Sequence, residues 1–379
     1  MTTYINGRFL TQPLSGVQRY AREITRALDA ELARSQRPQH QLGPIEVLLP
    51  HAAPMPDWQG LRPRVIGGGR GHLWEQGALW RASRDGVLIS LGNSGPLRHR
   101  AHVLCLHDAN LWEFPQAYGW RYRMLHRVLR PRLARRAAAL MTVSRHSAQA
   151  IARHLGVDAA GFRIVSNSAD HVLDLPAGRD VPARYGLTPG GYLLSVGNRS
   201  PNKNLCRLIA AHAECGDQVP PLALVGGGVP GIVADTAGPG TRVKMLGRVP
   251  DTDLRGLYEG AAGFVFAALH EGFGIPPLEA MRLGAPVLCA HSGAMPEVLG
   301  DAPLWFDPRS GDDMRAALIR FARMESGVRA AMIHAGHRQA ALYNWRKSAL
   351  ALAEVVGEVQ RRGAGDLIEA GALVPVVPS

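Results

Sequence analysis

The sequence predicts an α/β protein built from two parallel-sheet domains, and three features carry that expectation. Short apolar runs recur along the chain, too short for helices and bounded by glycine, proline or polar residues, as buried parallel strands are. Helical stretches separate them, which is the alternation of strand, crossover helix and strand. The length of 379 residues favours two domains, each large enough to bury its own core.

In chain order, residues 4–9 open as a strand, and Leu14-Ser15-Gly16-Val17 leads into a helix over 18–33. Ser15 suits the cap of that helix, and Gly16 allows a ligand close to its start. Residues 45–49, 87–91 and 103–106 follow as buried strands. The last ends in His107-Asp108, polar groups at the carboxyl end of a central strand, where parallel sheets bind ligands. A strand over 140–143 precedes a helix over 148–155 capped by Ser144 or Ser147, and 162–165 closes the first series. The stretch 173–191 is rich in proline, glycine and charge, so the expected domains are 1–178 and 179–345.

The second series starts with a strand over 192–196. Gly197-Asn198-Arg199-Ser200-Pro201-Asn202-Lys203-Asn204 links it to a helix over 205–214. A cationic loop between strand and helix suits a diphosphate: backbone N–H groups and the helix dipole meet the anion, while Arg199 and Lys203 neutralise its charge. Strands over 222–225 and 243–247 run into Gly226-Gly227-Gly228 and Arg248-Val249-Pro250-Asp251, with Asp251 capping a helix over 254–261. The three glycines do not make the dinucleotide fingerprint, so a nicotinamide cofactor is not expected. The apolar run 264–269 is a further strand, followed by Gly272-Phe273-Gly274 and Pro276-Pro277. Proline at the start and Gly284 at the end frame a short helix over 278–283, whose free N–H groups point back at the glycine loop and offer an anion site. Strands at 286–290 and 304–306, a helix over 312–324 opened by Ser310 and a last helix over 346–361 complete the series, leaving 363–379 as a loosely held tail.

Composition excludes several classes. No apolar run reaches the roughly 18 residues needed to span a bilayer. The N-terminus MTTYINGRFLTQ has no charged region followed by an apolar one, so a secretory signal is not expected. Cys105, Cys206, Cys215 and Cys289 form no C-x-x-C pair and read as reduced packing residues of a cytoplasmic protein. The net charge of +12 is uneven: residues 1–175 hold 23 Arg and no Lys against 12 Asp and Glu. Its densest run is Arg121, Arg123, Arg127, Arg130, Arg132, Arg135 and Arg136, interleaved with Trp120, Tyr122, Leu125, Val128, Leu129 and Leu133. Tyr122, Leu125, Leu129 and Leu133 recur at helical spacing, predicting an amphipathic helix kinked or restarted at Pro131. Arg121, Arg123, Arg127 and Arg130 then form either a surface for an anionic membrane or acceptor phosphate, or the solvated face of a core-packed helix. Zinc ligands, RNA-binding signatures and a helix-turn-helix are missing from the sequence, so nucleic acid is not the expected partner.

Glu271 and Glu279 stand eight positions apart, one before the short helix and one inside it. The spacing alone is weak. Its setting is specific: strand, Glu, Gly-x-Gly, Pro-Pro, Glu, Gly-x-Pro, strand, Ser-Gly, Pro-Glu. In this the sequence resembles the retaining glycosyltransferases of family 4, which carry a Glu-x7-Glu motif in such a setting on a GT-B fold, two Rossmann-like domains facing a central cleft. The resemblance runs over nearly the whole chain and is strongest towards bacterial O-antigen and exopolysaccharide mannosyl- or rhamnosyltransferases.

The resemblance implies roles for individual residues. Gly16 faces the cleft near the donor phosphates, and His107, with Asp108 beside it, reaches the donor sugar. Lys203 matches the lysine of the diphosphate loop, whereas the usual arginine position falls on Asn198 and Arg199 comes one residue later. Backbone at Arg248-Val249 contacts the nucleotide base. Glu271 and the backbone of Gly272, Phe273, Gly274 and Ile275 hold the donor sugar, and Glu279 holds the ribose hydroxyls. Where the family often has Pro-Asn-Gly, this chain has Ser166-Asn167-Ser168. The helix over 346–362 is expected to return to the first domain. The implied activity is metal-independent transfer of a hexose, with retention and no cofactor, from a nucleoside-diphosphate sugar to a lipid-linked or oligosaccharide acceptor. The implied location is the cytoplasm or the inner face of the cytoplasmic membrane. Nothing in the residues tells guanine from uracil; the overall similarity favours GDP-mannose or GDP-rhamnose. A glycosidase-like double displacement is disfavoured by the nucleotide-like setting of Glu279. A sugar-nucleotide epimerase, a polysaccharide synthase using UDP- or ADP-glucose, and a non-enzymatic nucleotide-sugar-binding protein are the alternatives.

Overall fold

The computed structural model describes residues 1–34, 43–227 and 242–366. They form two compact units: one takes 1–109, 124–167 and the chain from Trp345, the other 110–123 and 168–344. The second unit thus begins at Ser168 and also claims 110–123, where the sequence reading places the boundary after 178 and returns 346–362 to the first domain. Gly228 of the glycine turn and the tail beyond Asp366 lie outside the described residues.

The first unit is built on seven parallel strands, β1 (Thr3–Asn6), β2 (Ile45–Pro50), β3 (Arg62–Ile66), β4 (Val87–Ser90), β5 (His102–Cys105), β6 (Ala139–Thr142) and β7 (Phe162–Ile164), in the order β3-β2-β1-β4-β5-β6-β7. A parallel sheet is covered on both faces, so its central strands are apolar at consecutive positions. Val47, Leu48 and Leu49, then Val87, Leu88 and Ile89, are fully buried. The expected first strand stops at Asn6, whose Oδ1 accepts the Arg8 N–H at 3.2 Å and turns the chain into a 3-10 segment. The sequence reading missed β3. Its Arg-Pro-Arg-Val-Ile sequence suits only an edge, where a proline costs no ladder bond and charge keeps the edge from pairing.

The second unit holds six parallel strands, β8 (Leu193–Val196), β9 (Leu222–Val225), β10 (Val243–Gly247), β11 (Gly263–Phe266), β12 (Val287–Ala290) and β13 (Leu304–Phe306), in the order β10-β9-β8-β11-β12-β13. Leu193, Leu224, Val265 and Leu288 pack with Leu208, Leu318 and Phe321 from the covering helices into one core.

Six helices carry or flank the sequence-predicted functional residues: α1 (Gly16–Arg34), α2 (Trp120–Arg136), α3 (Arg145–Leu155), α4 (Leu205–Glu214), α5 (Ile275–Arg282) and α6 (Trp345–Asp366). Ser144, not Ser147, caps α3, accepting the Ser147 N–H at 3.0 Å, and Gly156 ends it in the left-handed region. Helix α2 runs through Pro131 without the expected restart. Pro131 has no N–H for the Arg127 carbonyl, and on the outer side of the helix water can replace it. The buried side of α2 is His126, Leu129, Arg130, Leu133 and Ala134. Three expectations change here: Tyr122 and Leu125, read on the apolar face, are 37% and 44% exposed, and Arg130, read as part of a basic outer surface, is only 2% exposed. Helix α6 belongs to the first unit and packs on α1, with the Trp345 ring 6.0 Å from Tyr20 and the Arg346 guanidinium 2.8 Å from Glu31. Cys105, Cys215 and Cys289 are buried; Cys206 is exposed and so is not a packing residue.

Strand order reverses once in each sheet, between β1 and β4 and between β8 and β11. Connections leave such a point towards opposite faces, so the loops beyond the carboxyl ends diverge and open a crevice. At the first of these points the Glu75 carboxylate, 1% exposed, gathers four partners. Its Oε1 accepts Asn6 Nδ2 at 3.0 Å and Ser94 Oγ at 2.8 Å, and its Oε2 lies 2.9 Å from both Arg8 Nη1 and His72 Nδ1. Burial pushes the carboxyl towards its neutral form; the His72 hydrogen bond and the Arg8 charge outweigh it and hold the group at about 2. A depressed folded value contributes stability above the ordinary carboxyl value of about 4.3, and that stability is lost as pH falls from there towards 2. Glu75→Gln should therefore cost about 3 kcal/mol at neutral pH by leaving Arg8 without its counter-charge. It should also flatten the acid limb of stability between about pH 5 and 2. Denaturant unfolding across that range measures both, and a wild-type acid limb in the variant would show that the network adds nothing.

Candidate functional site

The second reversal point carries the diphosphate loop and the glutamate loop. Residues 197–204 follow β8 and residues 267–274 follow β11, side by side at the carboxyl edge. Leu269 N–H donates to the Asn202 carbonyl at 2.7 Å, and Asn204 Nδ2 donates to the Ala267 and Pro308 carbonyls at 3.2 and 2.8 Å. Asn204 adopts a left-handed φ of 59°, which asparagine tolerates better than other side-chain-bearing residues. This backbone lacing brings Lys203 and Glu271 together. Lys203 Nζ lies 2.6 Å from Glu271 Oε1, with the two side chains 15% and 17% exposed, and 5.1 Å from the Phe266 ring centre.

Glu271 is fixed from several sides. Asn202 Nδ2 donates to its Oε1 and to the His270 carbonyl, both at 3.4 Å, while Ser200 Oγ lies 2.6 Å from Asn202 Oδ1 and Asn198 Oδ1. The Glu271 carbonyl accepts the Ala294 N–H at 3.0 Å. Gly293 passes so close that a Cβ there would fall 2.7 Å from the Glu271 carbonyl oxygen, and its φ of 55° also favours glycine. His270, the preceding residue, pairs through Nδ1 with Glu113 at 3.0 Å and tilts its ring against Phe114 at 5.9 Å. The Glu271 charge adds to burial in keeping the Cys289 thiol protonated, the burial effect being larger.

Gly272, Phe273 and Gly274 lead into α5. Gly274 takes φ 88° and precedes Ile275-Pro276-Pro277; the helix start has no side-chain cap. Neither proline offers an N–H, so the amides ahead of Leu278 are those of Gly274 and Ile275. Phe273 is buried against Tyr343, ring centres 5.2 Å apart. Glu279 lies one turn on. It is 4% exposed and both its oxygens are engaged: Oε1 sits 3.0 Å from His171 Nε2, and Oε2 accepts the Tyr258 hydroxyl at 2.7 Å.

Arg199 does not join Lys203 in the ion pair with Glu271. It lines a small cavity with Ser195, Gly197, Leu224, Gly226 and Met245 at the ends of β8, β9 and β10. Gly226 takes φ 136° there, and a Cβ on it would fall 1.7 Å from the Gly197 carbonyl oxygen, so only glycine lets these two turns meet. Val249 is half-buried beyond β10. Asp251 is the first residue of a helix over Asp251–Glu259, one position inside the cap expected for it.

His107, Asp108 and Gly16 belong to the first unit. The His107 ring is 5% exposed and stands edge-on to Tyr20 at 4.9 Å. Its Nε2 lies 2.8 Å from the Leu91 carbonyl, which can only accept, so Nε2 carries the proton and Nδ1 is left as the acceptor. Burial keeps the imidazole neutral, lowering its pKa against the opposing pull of the Leu91 hydrogen bond. The backbone N–H of His107 donates to Asn93 Oδ1 at 2.9 Å, and Asn93 has a left-handed φ of 61°. Gly16 is the first residue of α1, and a Cβ there would meet nothing within 4 Å.

Sequence reasoning missed the residues that hold the motif: His171, Tyr258, Asn202, Glu113 and Gly293. It also passed over an Asp-x-Asp, Asp251-Thr252-Asp253. Asp253 is taken up by Tyr185 at 2.7 Å and Arg184 at 2.9 Å. No group of three or more His, Cys, Asp or Glu stands together as a metal-ligand set among the described residues.

Residues 186–339 match the family model described as glycosyl transferases group 1. The chain is 33% identical over 264 residues to the O-antigen chain mannosyltransferase B of Escherichia coli, covering 66% of this chain and 68% of that protein. It is 31% identical over 231 residues to the serotype-specific mannosyltransferase WbdA of the same species, but spans only 28% of its length. Among solved structures, sucrose-phosphate synthase from Thermosynechococcus elongatus superposes with a TM-score of 0.72 at 16% identity, over 96% of this chain and 99% of the other, a likeness of fold alone. The two parallel sheets are those of the GT-B fold, and the chain belongs to the group 1 glycosyl transferases.

Proposed function

We propose that this glycosyltransferase moves a mannosyl-type hexose from a nucleoside-diphosphate sugar, GDP-mannose or GDP-rhamnose, to a lipid-linked or oligosaccharide acceptor in bacterial surface-polysaccharide synthesis. Transfer proceeds with retention and without a metal ion, and the protein works in the cytoplasm or against the inner face of the membrane. The observation that carries this reading is the Lys203–Glu271 pair at the β8/β11 reversal point, beside the uncapped start of α5. The two E. coli relatives, whose names are those of mannosyltransferases, support the sugar.

The chemistry follows from charge. As the bond from the anomeric carbon to the diphosphate breaks, negative charge grows on the leaving group, and preorganised donors beside it lower the barrier. Lys203 supplies a full positive charge. The Gly274 and Ile275 amides add the partial charge of a helix start. In the free protein Glu271 holds Lys203 in place; an arriving diphosphate takes over the ammonium and frees the carboxylate for sugar hydroxyls. Glu279, locked by His171 and Tyr258, presents a rigid acceptor edge to the ribose. Neutral His107, accepting through Nδ1, suits a sugar hydroxyl as donor.

A thermal-shift panel with GDP, UDP, ADP and dTDP, each with magnesium or chelator, tests donor and metal together. At 100 times Kd a ligand adds about 2.7 kcal/mol, and each kcal/mol raises the midpoint of a domain this size by roughly 2–4 °C. GDP alone should produce the shift, equally in chelator; no shift with any nucleotide would sink the reading.

Lys203→Ala removes a charge-assisted contact to phosphate worth about 1.5–3 kcal/mol, so GDP affinity should fall roughly ten- to hundredfold while guanosine affinity is unchanged. Calorimetric titration of both ligands distinguishes a phosphate role from a general loss of the site.

His171→Asn should raise the donor KM several-fold with kcat nearly intact, because it loosens the carboxylate that meets the ribose rather than the reacting bond. A fall in kcat at unchanged KM would instead put His171 at the chemistry.

A further inference from the structure

The sequence concentrates aromatic side chains at one place. Five stand within eleven positions, Trp112, Phe114, Tyr118, Trp120 and Tyr122, in a chain that is 6% aromatic overall. They fall in 110–123, the segment that belongs to the second unit, which holds a helical turn over Asn110–Glu113, a 3-10 turn over Pro115–Ala117 and the first turn of α2. Its backbone is fixed from within. Phe114 N–H donates to the Asn110 carbonyl at 2.9 Å, Tyr118 N–H to the Pro115 carbonyl at 3.2 Å, and Arg123 Nη1 to that same carbonyl at 3.4 Å. Leu111 and Ala117 fill the buried side, while Trp120 is left 65% exposed.

The segment is anchored to the two loops that carry Lys203 and Glu271. The Glu113 carboxylate lies 3.0 Å from His270 Nδ1, and the Phe114 ring 5.9 Å from the His270 ring, at the residue preceding Glu271. The Pro115–Ala117 turn lies against the Pro201–Lys203 turn of the diphosphate loop. Beyond these anchors the rings form plates. Tyr118 and Tyr122 stack with ring centres 5.4 Å apart and planes 10° from parallel, and the Arg121 guanidinium lies over the Trp120 ring at 5.4 Å. Each stack fixes the orientation of a ring, and an arginine over a ring also brings several N–H donors to its edge.

We propose that Tyr118, Trp120, Arg121 and Tyr122 form a carbohydrate subsite that holds pyranose rings of the acceptor, next to the sugar being transferred. Position and chemistry select this occupant. The inference rests on the proposed function, under which an acceptor hydroxyl has to reach the anomeric carbon beside Glu271. The glycan that bears it must then lie on a surface that starts at that loop, as this one does. A pyranose face is lined by C–H groups, whose weakly positive hydrogens pack on the negative face of an aromatic ring. Its rim of hydroxyls needs donors and acceptors, which Arg121 and the two phenol groups supply. Tyrosine and tryptophan also turn about only two side-chain bonds, so little entropy is lost when a sugar fixes them. A lipid boundary takes the same residue types, but it needs no anchor beside Glu271.

Calorimetric titration of the purified protein with α-linked mannotriose, with and without GDP, tests it. The wild type should bind the trisaccharide. At about three- to tenfold per ring, Trp120→Ala/Tyr122→Ala should lose roughly ten- to a hundredfold in affinity. Tyr122→Phe keeps the ring and should bind nearly as the wild type does. Trp80 carries Arg98 over its ring at 5.6 Å, the same pairing elsewhere in the chain, so Trp80→Ala serves as the control and should leave mannotriose affinity unchanged. An unchanged GDP affinity in the double variant separates a lost sugar contact from a lost fold. No mannotriose binding by the wild type, or equal losses in Trp80→Ala and the double variant, would overturn the proposal. So would a double variant that binds mannotriose normally but no longer pellets with phosphatidylcholine–phosphatidylglycerol vesicles. Mannotriose binding that depends on Trp120 and Tyr122 in a protein that binds no nucleotide would instead count against the proposed donor and leave the subsite standing.

Discussion

A sheet of parallel strands buried on both faces leaves polar chemistry one place to go, its carboxyl edge, and the organisation of each unit follows from that constraint. The strands themselves are almost wholly apolar: Leu193 and Leu194 in β8, Val265 in β11, Val47 to Leu49 in β2. Polar side chains gather at the carboxyl ends and just beyond them. Asn6 closes β1, Asn93 follows β4, His107 follows β5, and Asn198 to Asn204 follow β8. At both points where strand order reverses, a carboxylate collects the surrounding donors, Glu75 in one unit and Glu271 in the other. The two differ in exposure, and that difference separates their uses. Glu75 is sealed with four partners and serves stability; Glu271, 17% exposed and paired with Lys203, is open to a ligand under the proposed function.

Exchange is the economical way to bind a charged ligand. An ammonium left bare in a partly buried site would face a desolvation cost, and so would a bare carboxylate. Pairing Lys203 with Glu271 gives each a counter-charge and orients both, and under the proposed function an anion displaces the carboxylate. Glu279 follows another course. With both oxygens filled by His171 and Tyr258 it stays in one rotamer, and an oxygen that already accepts one hydrogen bond retains a second lone pair for a hydroxyl.

How much of this was legible in the sequence depends on the range of the signal. Strands β9, β10 and β13 stand at the residues their apolar runs predict, and Ser144, Ser310 and Gly156 act as the caps and stops their chemistry favours. Lys203 and Glu271 could be singled out because each lies within a few residues of a strand end and a glycine turn. The supporting residues could not. His171 and Glu279 are 108 positions apart, and nothing local to either announces the other. Edge strand β3 was lost because proline and arginine are poor strand signals, although both are suited to an edge. The helix over Ser326–Ala340 escaped for a related reason: only Gly336 and Ala340 are buried along it, so it has no apolar stripe to read.

Arg130 shows where counting charges misleads. Seven arginines in one helix read as a single basic surface, yet a helix that buries a side must bury whatever residue the 3.6-residue period places there. Position 130 falls between His126 and Leu133 on that side, and the guanidinium goes in with them. There it adds to the positive field that, after burial itself, holds the His126 imidazole down to about 3. The same period that takes Arg130 out of the surface leaves Leu125 and Val128 in it. The outer face is therefore less charged and more apolar than the sequence count implies.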